Sequence, residues 1–239
     1  MSRIMWNGGH NVIIGIEGLQ EVERELGNLK RKTPAVVKFA INKTARQARR
    51  MMIMKAKARY ALNAKGASHL DDLAQRKKAT NHGLTAELYI QSLRNDLGYF
   101  ETDPSRPYVG KDVFNAPKFF RGHVLIENPM KTLKGKEGEY SKPFLLEFAN
   151  NGNSHIGMVQ RHLGVKSKHT KTARGYKRWV SKSGVIETLR TYGSASAAAM
   201  HSTVWPMVAP DVEVFLAEAV MNRCEQVLAV AAARTKRGK

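Results

Sequence analysis

The chain reads as an α+β protein: N-terminal helices including one long basic helix, a central antiparallel β-sheet of short strands, and a C-terminal helix. Three observations predict this. Apolar residues recur at three- and four-residue steps from Leu19 to Met51. Beyond Gly83 the pattern changes to short β-rich runs separated by turn residues. Helical spacing returns near the C-terminus. Helices therefore flank a block of strands instead of alternating with them, which is an α+β order and not a βαβ one. With 239 residues, 42% of them apolar, the chain can bury a real core. The expected layout is one domain over 1–233. Its helical part covers about 18–80, its β-rich part about 84–192 and its C-terminal helix about 204–233, with a basic tail at 234–239.

Taken in order, Asn11 to Ile16 is β-rich and short, and reads as a strand or an ordered arm. After Gly18, Leu19, Val22, Leu26 and Leu29 form one stripe opposite Glu21, Glu23 and Glu25, which predicts an amphipathic helix. Thr33-Pro34 reads as a helix restart, with Thr33 as cap and Pro34 at the first helical position. Val37, Ile41, Thr44, Ala48 and Met51 then trace a core face. That face weakens past Met52, where Lys55 and Arg59 fall on the stripe while Ile53 and Tyr60 leave it; either a bend or contact with neighbouring subunits would explain this. Asn63 to Gly66 is expected to end the helix, and His69 to Ala79 to form a short basic one.

Strands are expected at Leu84–Ile90, Phe119–Glu127, Pro143–Ala149, Ile156–Arg161 and Val185–Thr191, each an apolar run bounded by turn residues. The breaks include Asp103-Pro104-Ser105-Arg106-Pro107, Asn128-Pro129 and Asn150-Asn151-Gly152-Asn153. Gly164 to Gly184 reads as a basic loop or hairpin. The last helix is carried from about Asp211 to Ala233 by Val212, Phe215, Leu216, Ala219, Val220, Val227 and Val230.

Charge is the strongest functional signal. Lys plus Arg number 40 against 20 Asp plus Glu, a formal charge of +20 that repels itself and favours an anionic partner. Asn28 to Lys65 holds twelve basic side chains and no acid. A solvated helix normally mixes signs for pairing at four-residue steps, whereas Arg46 and Arg50 set like charges at that spacing. The expected anion or DNA contact residues are Lys43, Arg46, Arg49, Arg50 and Lys57, with Lys171, Arg174, Lys177 and Arg178 as a second basic element. Few aromatics interleave with this charge, so a nucleic-acid contact would be to phosphates and not sequence-specific. Whether the partner is DNA or acidic protein stays open at this level.

Little points to chemistry. His155, His162 and His169 recur every seven residues near Glu147, but without the spacing of a zinc site or the clustered acids of a metal nuclease. Cys224 sits near an apolar helical stripe and reads as a small hydrophobe. It leaves no intrachain disulfide and fits a reducing compartment. Gly8-Gly9 is too isolated for a phosphate loop. Asp71-Asp72 reads as an acidic start to a short helix. Met51, Met52 and Met54 fit a core and a subunit interface about equally well. Neither a signal peptide nor an apolar run long enough for a membrane span is expected, so the reading is a soluble intracellular product without catalytic activity, metal or cofactor.

Several blocks together resemble a known family. Ala40-Ile41-Asn42-Lys43-Thr44-Ala45-Arg46-Gln47-Ala48-Arg49, leading to Arg59-Tyr60-Ala61-Leu62, is similar to the N-terminal helix of phage minor tail protein Z and the related tail completion proteins. Pro143 to Phe148 followed by Ser154 to Arg161, and then Val185 to Leu189 before a small-residue stretch and a closing helix, resemble later blocks in the same order. The basic loop 164–184 is longer than that pattern, and Ser154-His155 stands where it has Gly-His. The resemblance implies a non-enzymatic structural protein of the virion, at the head-proximal neck of a phage tail and assembled in the host cytoplasm. It implies a ring, six copies expected, that supports head–tail joining and DNA passage. Its neighbours would be tail terminator, tail tube or head connector proteins, with phage DNA in the channel. The alternative from another class is a non-specific nucleic-acid-binding protein; a small nuclease ranks third for want of carboxylates.

Overall fold

A computed structural model describes residues 2–7, 11–71, 74–90, 95–108, 120–133, 143–150, 153–162, 179–180 and 186–237. In chain order they form strands β1 (Ser2–Asn7) and β2 (Asn11–Ile16), helix α1 (Gln20–Leu26), a 3-10 segment (Gly27–Lys32), α2 (Thr33–Arg59) and α3 (Ala64–Leu70). Next come β3 (Ala74–Lys77), β4 (Thr85–Tyr89), β5 (Asn95–Asp96), a 3-10 turn (Leu97–Tyr99), β6 (Thr102–Asp103), β7 (Arg121–Gly122) and β8 (Lys131–Thr132). The chain closes with β9 (Phe144–Asn150), β10 (Asn153–His162), β11 (Trp179–Val180), β12 (Ile186–Thr191), β13 (Gly193–Ser194) and α4 (Ala197–Arg237). The architecture is mixed α+β with small antiparallel sheets. The span expected as one domain contains two compact units: Met1–Ala56 with Leu70–Leu93 and Ser196–Lys239, and Lys57–His69 with Arg94–Ala195.

The first unit packs α1, most of α2 and α4 on a four-stranded sheet of order β1-β2-β4-β3. Alternation fixes which side of the sheet is buried: Val12 and Ile14 of β2, and Ala86 and Leu88 of β4 with the following Ile90, are all fully buried. Against them lie Val36, Val37, Ala40, Ile41, Ala45, Ala48 and Met52 of α2, and Val208, Val212 and Leu216 of α4. The α1 stripe behaves as its spacing predicts, with Val22 and Leu26 buried and Leu19 and Leu29 packed beside them. Asn42 fastens α2 to the strand side: its Nδ2 donates to Ala79 O and its Oδ1 accepts from Ala79 N–H, both at 3.0 Å.

The second unit holds a four-stranded sheet of order β11-β12-β10-β9 and two smaller sheets, β13-β5 and β6-β7-β8. The turn signal at Asn150–Asn153 lies where expected, since Asn150 pairs with Asn153 across the β9–β10 hairpin. Phe120, Phe144, Leu145, Met158 and Val159 form this unit's core. Asp96 ties its parts together, because its buried Oδ1 accepts from Gly98 N–H at 2.9 Å and Met158 N–H at 2.7 Å. Asn63 caps α3 through Gly66 N–H to Oδ1 (2.9 Å), while its Nδ2 donates to Gly98 O (2.6 Å).

Several expectations are corrected. His69–Ala79 is not a helix: α3 ends at Leu70, and Ala74–Lys77 pairs with β4, so sheet pairing overrides a helix-compatible composition. Asp71 accordingly follows a helix C-terminus and does not open a helix; Asp72 lies outside the described residues. Thr33 is no cap, since its backbone is already helical (φ −48°, ψ −49°) and its buried hydroxyl has no hydrogen-bond partner among the described residues. Gly27–Lys32 winds straight into α2, so no extended residue intervenes. Beyond Ala48 the buried stripe runs through Met52, Ile53 and Ala56, with Lys55 exposed and Arg59 half-buried. Of Phe119–Glu127 only Arg121–Gly122 is strand; Phe119 lies outside the described residues, and Val124 and Ile126 instead bond the backbone of Ala61 and of Arg59, the last residue of α2.

The closing helix starts well before position 204 and runs through Pro206 and Pro210. Each proline removes an i→i−4 bond, but the burial of Val204, Trp205, Val208 and Val212 holds the helix together. Both prolines are exposed. Pro210→Ala is therefore expected to raise stability by about 1–2 kcal/mol, helix gain outweighing the lost restriction of the unfolded chain. Thermal melting checks this; an unchanged or lower melting point would mean that the helix depends on the break.

Candidate functional site

The α2 residues expected to meet an anion divide into two groups. Lys43, Arg46, Arg50 and Lys57 are exposed. At 3.6 residues per turn Lys43, Arg46 and Arg50, all in the first unit, fall within an arc of roughly 60°, opposite the buried side of the helix. Core packing of α2 thus fixes the direction of the charge: Val37, Ile41 and Ala48 are wholly buried and Met51 half-buried, as their spacing predicts. Lys43 Nζ stands 5.5 Å from the centroid of the Phe215 ring on α4, a cation–π geometry that steadies its stem. From α4, Arg223 lies 4.5 Å over the ring of Phe39 on α2. The two helices therefore exchange one such contact in each direction.

Arg49 belongs elsewhere. It is half-buried, and its guanidinium donates to Asp71 O at 2.8 Å. Beside it His201, fully buried on α4, approaches Leu70 O through Nε2 at 3.3 Å. A helix leaves its last carbonyls without intrahelical donors, and these two side chains serve the Leu70–Asp71 end of α3. Burial, with the Arg49 charge adding to it, lowers the His201 pKa to about 4 against the smaller opposing pull of the Leu70 carbonyl. The ring is neutral at pH 7, and its Nδ1 has no hydrogen-bond partner among the described residues.

Lys171, Arg174, Lys177 and Arg178 all lie outside the described residues. His155 and His162 fall on β10 and His169 outside the description; Glu147 bonds Lys65 at 2.9 Å. Among the described residues no group of three His, Cys, Asp or Glu side chains is placed to hold a metal. Burial pushes the Cys224 thiol up, with Glu25 and Glu225 adding to the shift, so it is a poor nucleophile at neutral pH. No helix of the described residues is long and apolar enough to cross a membrane. His123 is perturbed as well. Its bond to Asn128 O (2.7 Å) raises its pKa, with Glu101 helping against burial.

Sequence reasoning missed three polar anchors: Asn42, Asn63 and His201. Asn42 lies inside a block quoted for the resemblance, yet its partner, Ala79, is 37 residues away. Comparison with protein-family models, curated proteins and solved structures finds no match for this chain.

Proposed function

We propose that this protein is a non-catalytic, ring-forming tail completion or neck subunit of a phage virion. It sits at the head-proximal end of the tail and supports head–tail joining and DNA passage. Its partners are further copies of itself, six expected, and the adjoining tail terminator, tail tube or head connector proteins, with phage DNA in the channel. The observation that carries the reading is the exposed row Lys43, Arg46 and Arg50 on a helix that holds no acid and whose other side is locked in a core. Such a row is rigidly presented and electrostatically unfavourable until an anionic surface meets it. The order of the blocks 40–49, 143–148, 154–161 and 185–189 adds the family resemblance.

Deleting the gene from the phage and imaging particles by negative stain tests the role. Tails of normal length that fail to join heads, or that join without giving infectious particles, are the expected result. Arg46→Glu with Arg50→Glu is expected to lower the yield of infectious particles by about tenfold or more while leaving the melting point unchanged, since both side chains are exposed. Normal infectious phage from the deletion would overturn the role. The general nucleic-acid-binding alternative would then be favoured by duplex affinity that falls steeply with salt and disappears in the Arg46/Arg50 variant.

A further inference from the structure

We infer that the anionic partner of the α2 basic row is the outer side of α4 on a second copy of this chain. This rests on the proposed self-assembly and names the surface that assembly uses.

Helix α4 has two apolar sides. One, through Val208, Val212, Leu216 and Ala219, is buried in the core. The other carries Met207, Val214, Met221 and Leu228, exposed by 46%, 60%, 65% and 39%. These four recur at intervals of seven, and each step of seven returns to within about 20° of the same direction. They form a continuous row along the helix, unlike the scattered apolar side chains of an ordinary surface. Four positions after each of the first three comes an exposed acid: Asp211, Glu218 and Glu225. Residues four apart share a helix face, so the acids edge the row along its length. Toward its C-terminal half the row opens into a groove of about 510 Å³ between α1 and α4, where Met221 and Leu228 meet three acids, Glu21, Glu25 and Glu225, and one base, Arg24.

The α2 row is its complement. Phe39 and Met54 are exposed by 40% and 59%, and Lys43, Arg46 and Arg50 lie between them on the same side of the helix. Phe39 to Met54 spans roughly 22 Å and Val214 to Leu228 roughly 21 Å at the helical rise. Within one chain both rows are exposed, so they do not cover each other. Two copies of α4 laid together would set acid against acid, a repulsion that the basic row relieves. The contact therefore joins two different faces of the same protein, and such contacts propagate into a ring when the rotation closes.

Sedimentation of the full chain at low salt tests this. Wild type is expected to show a mass several times 26.7 kDa, falling as salt screens the contact. Glu218→Lys with Glu225→Lys is expected to weaken association by about tenfold or more, and Arg46→Glu with Arg50→Glu to do the same. A chain carrying all four changes restores opposite charges at each contact and is expected to recover the wild-type mass. A monomeric wild type at low salt, acid reversals without effect, or no recovery in a four-fold variant that melts like wild type would each overturn the interface. DNA binding lost on basic reversal with the mass unchanged would do so too, in favour of phosphates. A successful swap beside normal infectious phage from the deletion would remove the tail role and keep the interface. Loss of head joining with a mass insensitive to every reversal would do the opposite.

Discussion

Gly66→Ala is expected to destabilise the protein by about 3 kcal/mol or more. Alanine is the better helix former by up to about 1 kcal/mol, so propensity alone predicts a gain. The packing predicts the reverse. A β-carbon at position 66 would overlap the carbonyl oxygen of Tyr99 and stand 2.9 Å from its carbonyl carbon. Tyr99 has little room to retreat: its carbonyl accepts from Asn63 N–H at 3.0 Å, and its ring stacks on that of His69 with centroids 4.8 Å apart. On either side, Gly98 and Phe100 carbonyls accept from the Asn63 side chain. The obstacle is thus backbone held by several bonds, not the end of a flexible side chain. Gly83→Ala is the control, since its nearest atom would be Thr80 Oγ1 at an ordinary 3.5 Å. Thermal and denaturant unfolding measure both. A Gly66→Ala protein as stable as the Gly83→Ala one would mean that α3 does not lie against Tyr99.

Acid is expected to unfold the first unit in part through His201. In the unfolded chain this group titrates near 6.5, and in the fold near 4. Between those values the unfolded state binds more protons, so stability falls as pH drops from 6.5 to 4. The slope approaches about 1.4 kcal/mol per pH unit, a total of about 3 kcal/mol from this side chain. The cause is local: the ring is wholly buried, Arg49 adds positive charge nearby, and the Leu70 carbonyl and Asp71 offer only partial compensation. His201→Gln keeps a donor for Leu70 O and removes the titration. Denaturant unfolding of both proteins across this range should show the wild type losing stability relative to the variant. Parallel curves would mean that His201 is protonated in the fold without penalty.

Much of the fold was legible because its signals are local. The α1 stripe needs only Leu19, Val22, Leu26 and Leu29; β4, β9, β10 and β12 need only short apolar runs between turn residues. Where the reading failed, a distant partner outweighed the local preference. Ala74–Lys77 carries no strand signal of its own and becomes β3 by pairing with β4. Ser2–Asn7 becomes β1 because β2 pairs with it from Ser2↔Ile16 to Asn7↔Asn11. The sequence carries the last helix only from about Asp211, yet the buried apolar residues around Pro206 and Pro210 extend it back to Ala197.

The candidate site divides in the same way. The direction of Lys43, Arg46 and Arg50 was set by the sequence alone, because helical spacing puts them opposite Val37, Ile41 and Ala48 whatever that core packs against. Only the tertiary structure withdrew Arg49 from that row to Asp71 O, 22 residues on, and buried His201 against Leu70, 131 residues back. Periodicity records which way a side chain points from its own helix. It carries no information about a backbone carbonyl delivered by another part of the chain.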